Sequence, residues 1–317
     1  LKLLISRALP DRVMEEARRA FDVDLRASHE PMGHAECVGA LREADVILPT
    51  LGDAFSARAF AEAGTIRCRG LANFGVGYNH IDVAAASEAG LVVTNTPGAV
   101  TDATADIALT LILMTARRAG AGERLVRSGG WEGWTPTQML GLHVTGKTVG
   151  ILGMGRIGQA VARRCRDGFC MEVVFWNRSE RDVDGARQLG SVSEVCGAAD
   201  IVVVTVAATP ETRHLVGEAE LGAMRPHGIL VNVARGDVVD EAALVAALEA
   251  GRIGGAGLDV YEREPEVPDA LRALDTATLL PHLGTAALEV REAMGRMALD
   301  NAKAIAAGEP PPNPVGA

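Results

Sequence analysis

The stretch that decides the fold is TVGILGMGRIGQAVARR, residues 148–164. A short apolar run, TVGIL, has the composition of a buried strand, and a helical pattern, IGQAVARR, follows at once. Between them stand Gly153, Gly155 and Gly158 in the spacing G-x-G-x-x-G. The spacing alone is a weak signal. In a strand–turn–helix setting it is what a dinucleotide pyrophosphate needs. Gly153 allows the tight turn, Gly155 lets the backbone approach the phosphates, and Gly158 lets the helix pack close to the strand. N–H groups of the first helical turn then face the phosphates, aided by the helix dipole. Arg156 adds a positive charge, and Ile157 completes the loop residues assigned to the cofactor.

The next strand, MEVVFW, runs into NRSERD, with Asn177, Arg178, Ser179 and Arg181. An NAD site ordinarily has Asp or Glu here to bind the ribose 2′-hydroxyl. An uncharged tip with arginines nearby suits a 2′-phosphate. NADP(H) is therefore favoured, with NAD(H) as the alternative.

Strands and helices alternate on both sides of this unit. Downstream, DIVVVTV, GILVNVA, GAGLDV and ATLLPH read as strands, with helices such as DEAALVAALEAG between them. Upstream, KLLIS, DVILPT, IRCRGLANF and LVVTN alternate with VMEEARRAF, AFSARAFAEAG and HIDVAAASEAG. The expected fold class is α/β, with two doubly wound parallel-sheet domains, Rossmann-like or flavodoxin-like. A long apolar helix from Thr101 to about Arg118 breaks the alternation, and a second long helix spans 287–308 before a Pro-rich tail.

Composition narrows the function classes. The chain has 317 residues, enough for two domains, and is 48% hydrophobic and 23% charged, as a full core requires. A net charge of −10 and the lack of a basic stripe argue against nucleic-acid binding. The longest apolar run, IALTLILMTA (107–116), is too short to span a membrane. LKLLISRALP has no cleavable apolar region behind it, so no secretory leader is expected. Five cysteines, an odd number without a C-x-x-C pair, imply a reducing, cytoplasmic compartment with thiols as core filler. HEPMGH (29–34) lacks the H-E-x-x-H pattern, and no metal site is expected. The segment 127–146 holds Trp131 and Trp134 among glycines, and a subunit contact is its expected use.

In open α/β sheets, ligands sit beyond the carboxyl ends of strands. Three such ends here carry chemistry. GILVNVARGDVVDE leads to Arg235, a fork for a carboxylate. GAGLDVYEREPEV leads to Asp259, Glu262 and Glu264, and ATLLPHLGTA to His282. A histidine with a carboxylate partner exchanges protons near neutral pH. Arginine, glutamate and histidine facing one dinucleotide form the set needed to reduce a 2-keto acid.

With these residues in view, the sequence resembles the D-isomer-specific 2-hydroxyacid dehydrogenases, in their glyoxylate/hydroxypyruvate reductase branch. The resemblance covers essentially the whole chain. It rests on NFGVGYNHIDV (73–83), VTNTPGAVTDATADIALTLIL (93–113), GILGMGRIG (150–158), VNVARGDVVDE (231–241), GLDVYEREP (257–265) and PHLGTA (281–286). It implies that Arg235 binds the substrate carboxylate, that His282 is the general acid in reduction, and that Glu264, just before Pro265, is the partner of His282. Glu262 is then expected to be a solvated neighbour. Asp259 would hold the nicotinamide carboxamide, Thr104, Val233 and Gly284 would line the cofactor, and backbone at Val76 and Gly77 would close over the substrate carboxylate. The resemblance further implies a discontinuous substrate domain, 1–98 with 287–317, around a cofactor domain at 99–286. It implies a homodimer through the 127–146 segment and the cofactor domain, with Trp134 near a neighbour's site. TVAATPET (205–212) and Cys170 depart from the family pattern. The alternatives are an NAD-dependent relative such as a phosphoglycerate dehydrogenase, and a non-enzymatic dinucleotide sensor that binds proteins.

Overall fold

The computed structural model describes residues 1–316. The chain divides into two compact units, Leu1–Val100 with Thr285–Ala317, and Thr101–Gly284. The second is therefore an insertion in the first.

The first unit holds β1 (Lys2–Ile5), β2 (Asp22–Leu25), β3 (Val46–Leu48), β4 (Gly70–Ala72) and β5 (Val92–Thr94). All pair in parallel, in the order β2-β1-β3-β4-β5. That is the flavodoxin-like order. β3 and β4 are buried throughout, which their apolar composition allows. β2, DVDL, is an exposed edge strand without an apolar run, and sequence reading passed over it. It also passed over the helix His34–Glu43. IRCRGLANF yields only the three residues of β4. The helix Leu288–Ala307 belongs to this unit. Its face of Ala298, Leu299, Ala302 and Ile305, at helical spacing, shares one core with Leu3, Ile5 and Val13. It stops at Gly308, whose φ of 74° is left-handed.

The second unit holds β6 (Thr148–Leu152), β7 (Glu172–Trp176), β8 (Ala186–Gln188), β9 (Ile201–Val204), β10 (Ile229–Asn232), β11 (Gly255–Leu258) and β12 (Ala277–Leu279). They are all parallel, in the order β12-β11-β10-β9-β6-β7-β8. The sheet grows one way from β6 through β7 to β8, then resumes on the other side with β9. This is the strand order of dinucleotide-binding sheets with one strand added, and it puts the switch point between β6 and β9. β9 and β10 are buried at every residue, as strands covered on both faces must be. The helix Thr101–Ala116 packs so tightly on β11 that a Cβ on Gly257 would lie 2.9 Å from Thr115 Oγ1. The helix ends with its apolar run at Ala116, just short of the expected Arg118. Arg118 turns left-handed at φ 52°, and a separate helix, Ala119–Arg127, follows. Beyond it, Trp131 and Trp134 are 53% and 78% exposed, so neither is buried within this chain. No helix among the described residues is long and apolar enough to cross a membrane.

Asp200 ties together the starts of three strands. Its Oδ2 accepts the Thr148 N–H at 2.9 Å, and its Oδ1 meets Arg225 Nη1 at 2.6 Å and His227 Nε2 at 2.7 Å. Its carbonyl accepts the Ile229 N–H at 3.0 Å. Burial works to raise the pKa of this carboxyl, but the Thr148 N–H, His227 and Arg225 outweigh it and hold it at about 2. A carboxylate depressed on folding contributes its stability above its unfolded pKa and loses it as pH falls through the folded value. Asp200→Asn should therefore cost on the order of 2 kcal/mol at neutral pH, and the gap should close only as pH falls to about 2. Urea denaturation at both pH values checks this, and an unchanged gap in acid would remove the electrostatic explanation.

Candidate active site

The turn after β6 is shaped by close backbone approach. Gly153 sits at φ 98°, against Val206. A Cβ on Gly158 would lie 2.2 Å from the Gly153 carbonyl oxygen, so only glycine lets the helix Arg156–Phe169 start here. Thr205 Oγ1 closes the other side, donating to the Gly153 carbonyl at 2.8 Å. That contact anchors the start of the divergent TVAATPET loop.

Two observations test whether a dinucleotide fits. The position a side chain would take at Gly155 has nothing within 4 Å, which leaves the backbone open to a ligand. The helix has no side-chain cap, so donors of its first turn stay available to an anion. Arg156 is exposed, Ile157 is half-buried, and Gly158 is buried. The turn fits a pyrophosphate.

Past β7, Asn177 Nδ2 donates to the Ser179 carbonyl at 3.0 Å and lies 3.1 Å from its Oγ. Arg178 is exposed. Glu211 on the neighbouring loop is held below the usual glutamate range, first by the Thr209 hydroxyl and last by the charge of Arg178. No carboxylate occupies the strand tip itself.

Arg235, Glu264 and His282 come from three segments at the carboxyl edge of the same sheet. Arg235 follows β10, Glu264 follows β11 and His282 follows β12. His282 Nδ1 meets Glu264 Oε2 at 2.8 Å. With the carboxylate ionised, Nδ1 carries the proton, and Nε2 remains for a ligand. Glu264 Oε1 accepts the Tyr261 N–H at 3.1 Å. Burial tends to raise the Glu264 pKa, but the bond to His282, its charge, the Tyr261 N–H and the Arg235 charge prevail and lower it. Arg235 is pulled below its ordinary value by burial, against the opposing charges of Glu264 and Asp237. One of its Nη donors reaches the Ala234 carbonyl at 2.8 Å.

Asp259 is 1% exposed and clamps the histidine segment. Its two carboxylate oxygens accept the N–H groups of Leu283 at 2.6 Å and Gly284 at 2.8 Å. Its carbonyl accepts the His282 N–H at 3.0 Å. His282 is held at φ 55°, a left-handed conformation that non-glycine residues adopt only when their surroundings enforce it. Burial raises the Asp259 pKa against the pull of the Leu283 N–H, the His282 charge and the Gly284 N–H. Thr104, buried, donates to the Gly284 carbonyl at 3.3 Å, and Val233 is buried at the end of β10.

Glu262 corrects an expectation. It is not a solvated neighbour: its Oε1 lies 2.6 Å from His214 Nε2 and accepts the Glu241 N–H at 3.4 Å. A histidine 48 residues away recruited it, which local sequence does not reveal. Three positioning residues were also missed. Asn232 donates to the Arg235 carbonyl at 2.8 Å and accepts the Ala234 N–H at 3.0 Å. Gly236 packs so close that a Cβ there would lie 1.8 Å from the Tyr261 carbonyl carbon. Tyr261 also donates its hydroxyl to the Leu280 carbonyl at 3.0 Å. The asparagine at the strand end was the one available signal, because such residues close local turns.

Val76 and Gly77 lie in the first unit. The Val76 carbonyl accepts from Asn95 Nδ2 at 2.9 Å and the Gly77 carbonyl from Asn73 Nδ2 at 3.1 Å. Side-chain amides thus anchor both carbonyls.

Residues 109–284 match the family model of the D-isomer-specific 2-hydroxyacid dehydrogenase NAD-binding domain. A glyoxylate reductase of Pyrococcus furiosus is 39% identical over 99% of this chain and 95% of its own length. This chain belongs to the D-isomer-specific 2-hydroxyacid dehydrogenase family. It is an oxidoreductase of the nicotinamide-dinucleotide class. Two solved structures agree in fold. One is a protein of Thermus thermophilus, with a TM-score of 0.92 and 39% identity, covering 99% of this chain and 100% of the other. The second is a Sinorhizobium meliloti NADPH-dependent glyoxylate/hydroxypyruvate reductase in complex with NADP and malonate. Its TM-score is 0.89 at 35% identity, over 99% of this chain and 96% of the other.

The Asp259 clamp yields a test. Asp259→Asn turns one acceptor into a donor facing a backbone N–H, so unfolding free energy should fall by about 1–3 kcal/mol. Urea denaturation measures it, and an unchanged midpoint would show that the clamp carries no weight.

Proposed function

We propose that this dehydrogenase reduces glyoxylate or hydroxypyruvate to the corresponding 2-hydroxy acid, with NADPH as the preferred cofactor. The observation that carries the reading is the pair of His282 and Glu264, 2.8 Å apart, on the sheet that bears the glycine turn. When bound, the reduced nicotinamide supplies the hydride to the carbonyl carbon. His282 delivers a proton from Nε2 to the carbonyl oxygen, completing the hydroxyl. Glu264, bonded to Nδ1, holds the imidazole in that orientation and stabilises its charged form. Arg235 binds the substrate carboxylate as a fork and polarises the carbonyl.

The remaining assignments belong to the same proposal. Gly153, Gly155, Arg156, Ile157 and Gly158 hold the pyrophosphate. Asn177, Arg178 and Ser179 receive the 2′-phosphate, which no acidic side chain at the strand tip repels. Thr104, Val233, Asp259 and Gly284 line the nicotinamide end, and Asp259 keeps lone pairs free for its carboxamide. Val76 and Gly77 supply backbone contacts to the substrate carboxylate. Exposed Trp131, Trp134 and Leu140 suit a homodimer contact. A cytoplasmic location agrees with five unpaired cysteines.

Steady-state assays that follow loss of reduced nicotinamide absorbance test the reading with each keto acid and each cofactor. NADPH should exceed NADH in kcat/KM, and the reverse order would overturn the cofactor choice. His282→Ala should lose about 10²–10⁴-fold in kcat while NADPH binding, followed by fluorescence, persists. Turnover near the wild-type rate would sink its role. Arg235→Ala should raise KM for the keto acid by more than about tenfold, and unchanged kinetics would count against the carboxylate fork.

A further inference from the structure

The edge strand β8 ends in Gln188, opposite Phe175 in the parallel register with β7. Its side-chain amide spans the Asn177–Arg181 turn. Nε2 donates to the Asn177 carbonyl at 3.2 Å and to the Ser179 carbonyl at 3.3 Å, and Oε1 accepts the Arg181 N–H at 2.8 Å. The Ser179 carbonyl also accepts from Asn177 Nδ2 at 3.0 Å. One side chain therefore holds three backbone groups of a five-residue turn. The turn itself has no helix or strand, and its tip residues Arg178, Ser179 and Glu180 are exposed. Without Gln188 its geometry would rest on the Asn177 side chain and on solvent.

We infer that Gln188 is the positioning residue that sets the Asn177–Arg181 turn for the 2′-phosphate of NADPH, and so decides the choice between the two dinucleotides. The inference rests on the proposal that Asn177, Arg178 and Ser179 receive that phosphate. The physical reason is preorganisation. A ligand group that meets a turn already in its binding conformation does not have to order it. The 5′-phosphate belongs to the glycine loop after β6, so this turn meets the ribose only at its 2′ position, where a charged phosphate gains more from ordered donors than a hydroxyl does. The contribution of Gln188 therefore falls mainly on the 2′-phosphate.

The test uses nucleotide fragments, so it does not depend on turnover. Isothermal titration of the full-length protein with adenosine 2′,5′-bisphosphate and with 5′-AMP compares a ligand that carries the 2′-phosphate with one that lacks it. Wild-type protein should prefer the bisphosphate. Gln188→Met, which keeps length but removes every hydrogen bond, should weaken the bisphosphate roughly tenfold and leave 5′-AMP within about twofold. Gln188→Glu should weaken it further, since it adds a like charge near the phosphate and replaces both donors. Turnover of both variants at saturating NADH should match wild type, which establishes that they fold. If the wild-type protein shows no preference for the bisphosphate, the NADP assignment fails first. If the preference exists and survives in both variants, the role of Gln188 is overturned. An equal loss for both nucleotides overturns it as well, because that marks general damage to the site.

Discussion

The second unit depends on a contact between backbones. The start of the helix Arg156–Phe169 lies so near the end of β6 that a single methyl at Gly158 would meet the Gly153 carbonyl oxygen at 2.2 Å. This closeness sets where the helix begins and how its N-terminal donors point. It also stands at the switch point between β6 and β9, where sheet growth reverses and a crevice opens. Every ligand contact assigned to the turn follows from that one approach. Thr205 and Val206, arriving on the chain after β9, complete the packing from the other side.

Two buried aspartates secure opposite edges of the same sheet, and their surroundings drive them in opposite directions. Asp200 stands just before β9 and binds an N–H, an arginine and a histidine, so its charge is well compensated and its pKa falls. Asp259 stands just after β11 with N–H partners and no bonded cation, so burial prevails and its pKa rises. The first makes the strand starts cohere. The second holds His282 at φ 55° beside Glu264. An unfavourable backbone conformation at His282 is kept in place by the carboxylate clamp. Tyr261 joins the segments that carry Glu264 and His282, with its N–H on Glu264 and its hydroxyl on the Leu280 carbonyl.

The interior strands were legible because a parallel sheet covered on both faces needs unbroken apolar runs. IVVV and ILVN, buried at every residue, meet that need. The edge strands β2 and β8 were not legible. DVDL and ARQ have little apolar surface to bury, and their neighbours' backbone hydrogen bonds hold them. The same limit applies within the site. Arg235, Glu264 and His282 were legible as candidates because each follows an interior strand or its neighbour at the sheet's carboxyl edge, where ligand chemistry gathers. The clamp role of Asp259, the bond between Glu262 and His214, and the brace formed by Gln188 depend on partners that folding supplies. No local pattern announces them.

By itself, then, the sequence determined the α/β architecture, the glycine turn and the residue types required for reduction at a carbonyl. Those properties follow from periodicity, from the steric freedom of glycine and from side-chain chemistry, all of them local. The resemblance had already implied that Glu264 meets His282; tertiary structure alone decided what compels that histidine's backbone and what holds the turn past β7. These are contacts between groups on different segments, 24 residues apart for Leu283 and Asp259 and 11 for Gln188 and Asn177. Their existence depends on strand order and register, which come from the packing of the whole sheet.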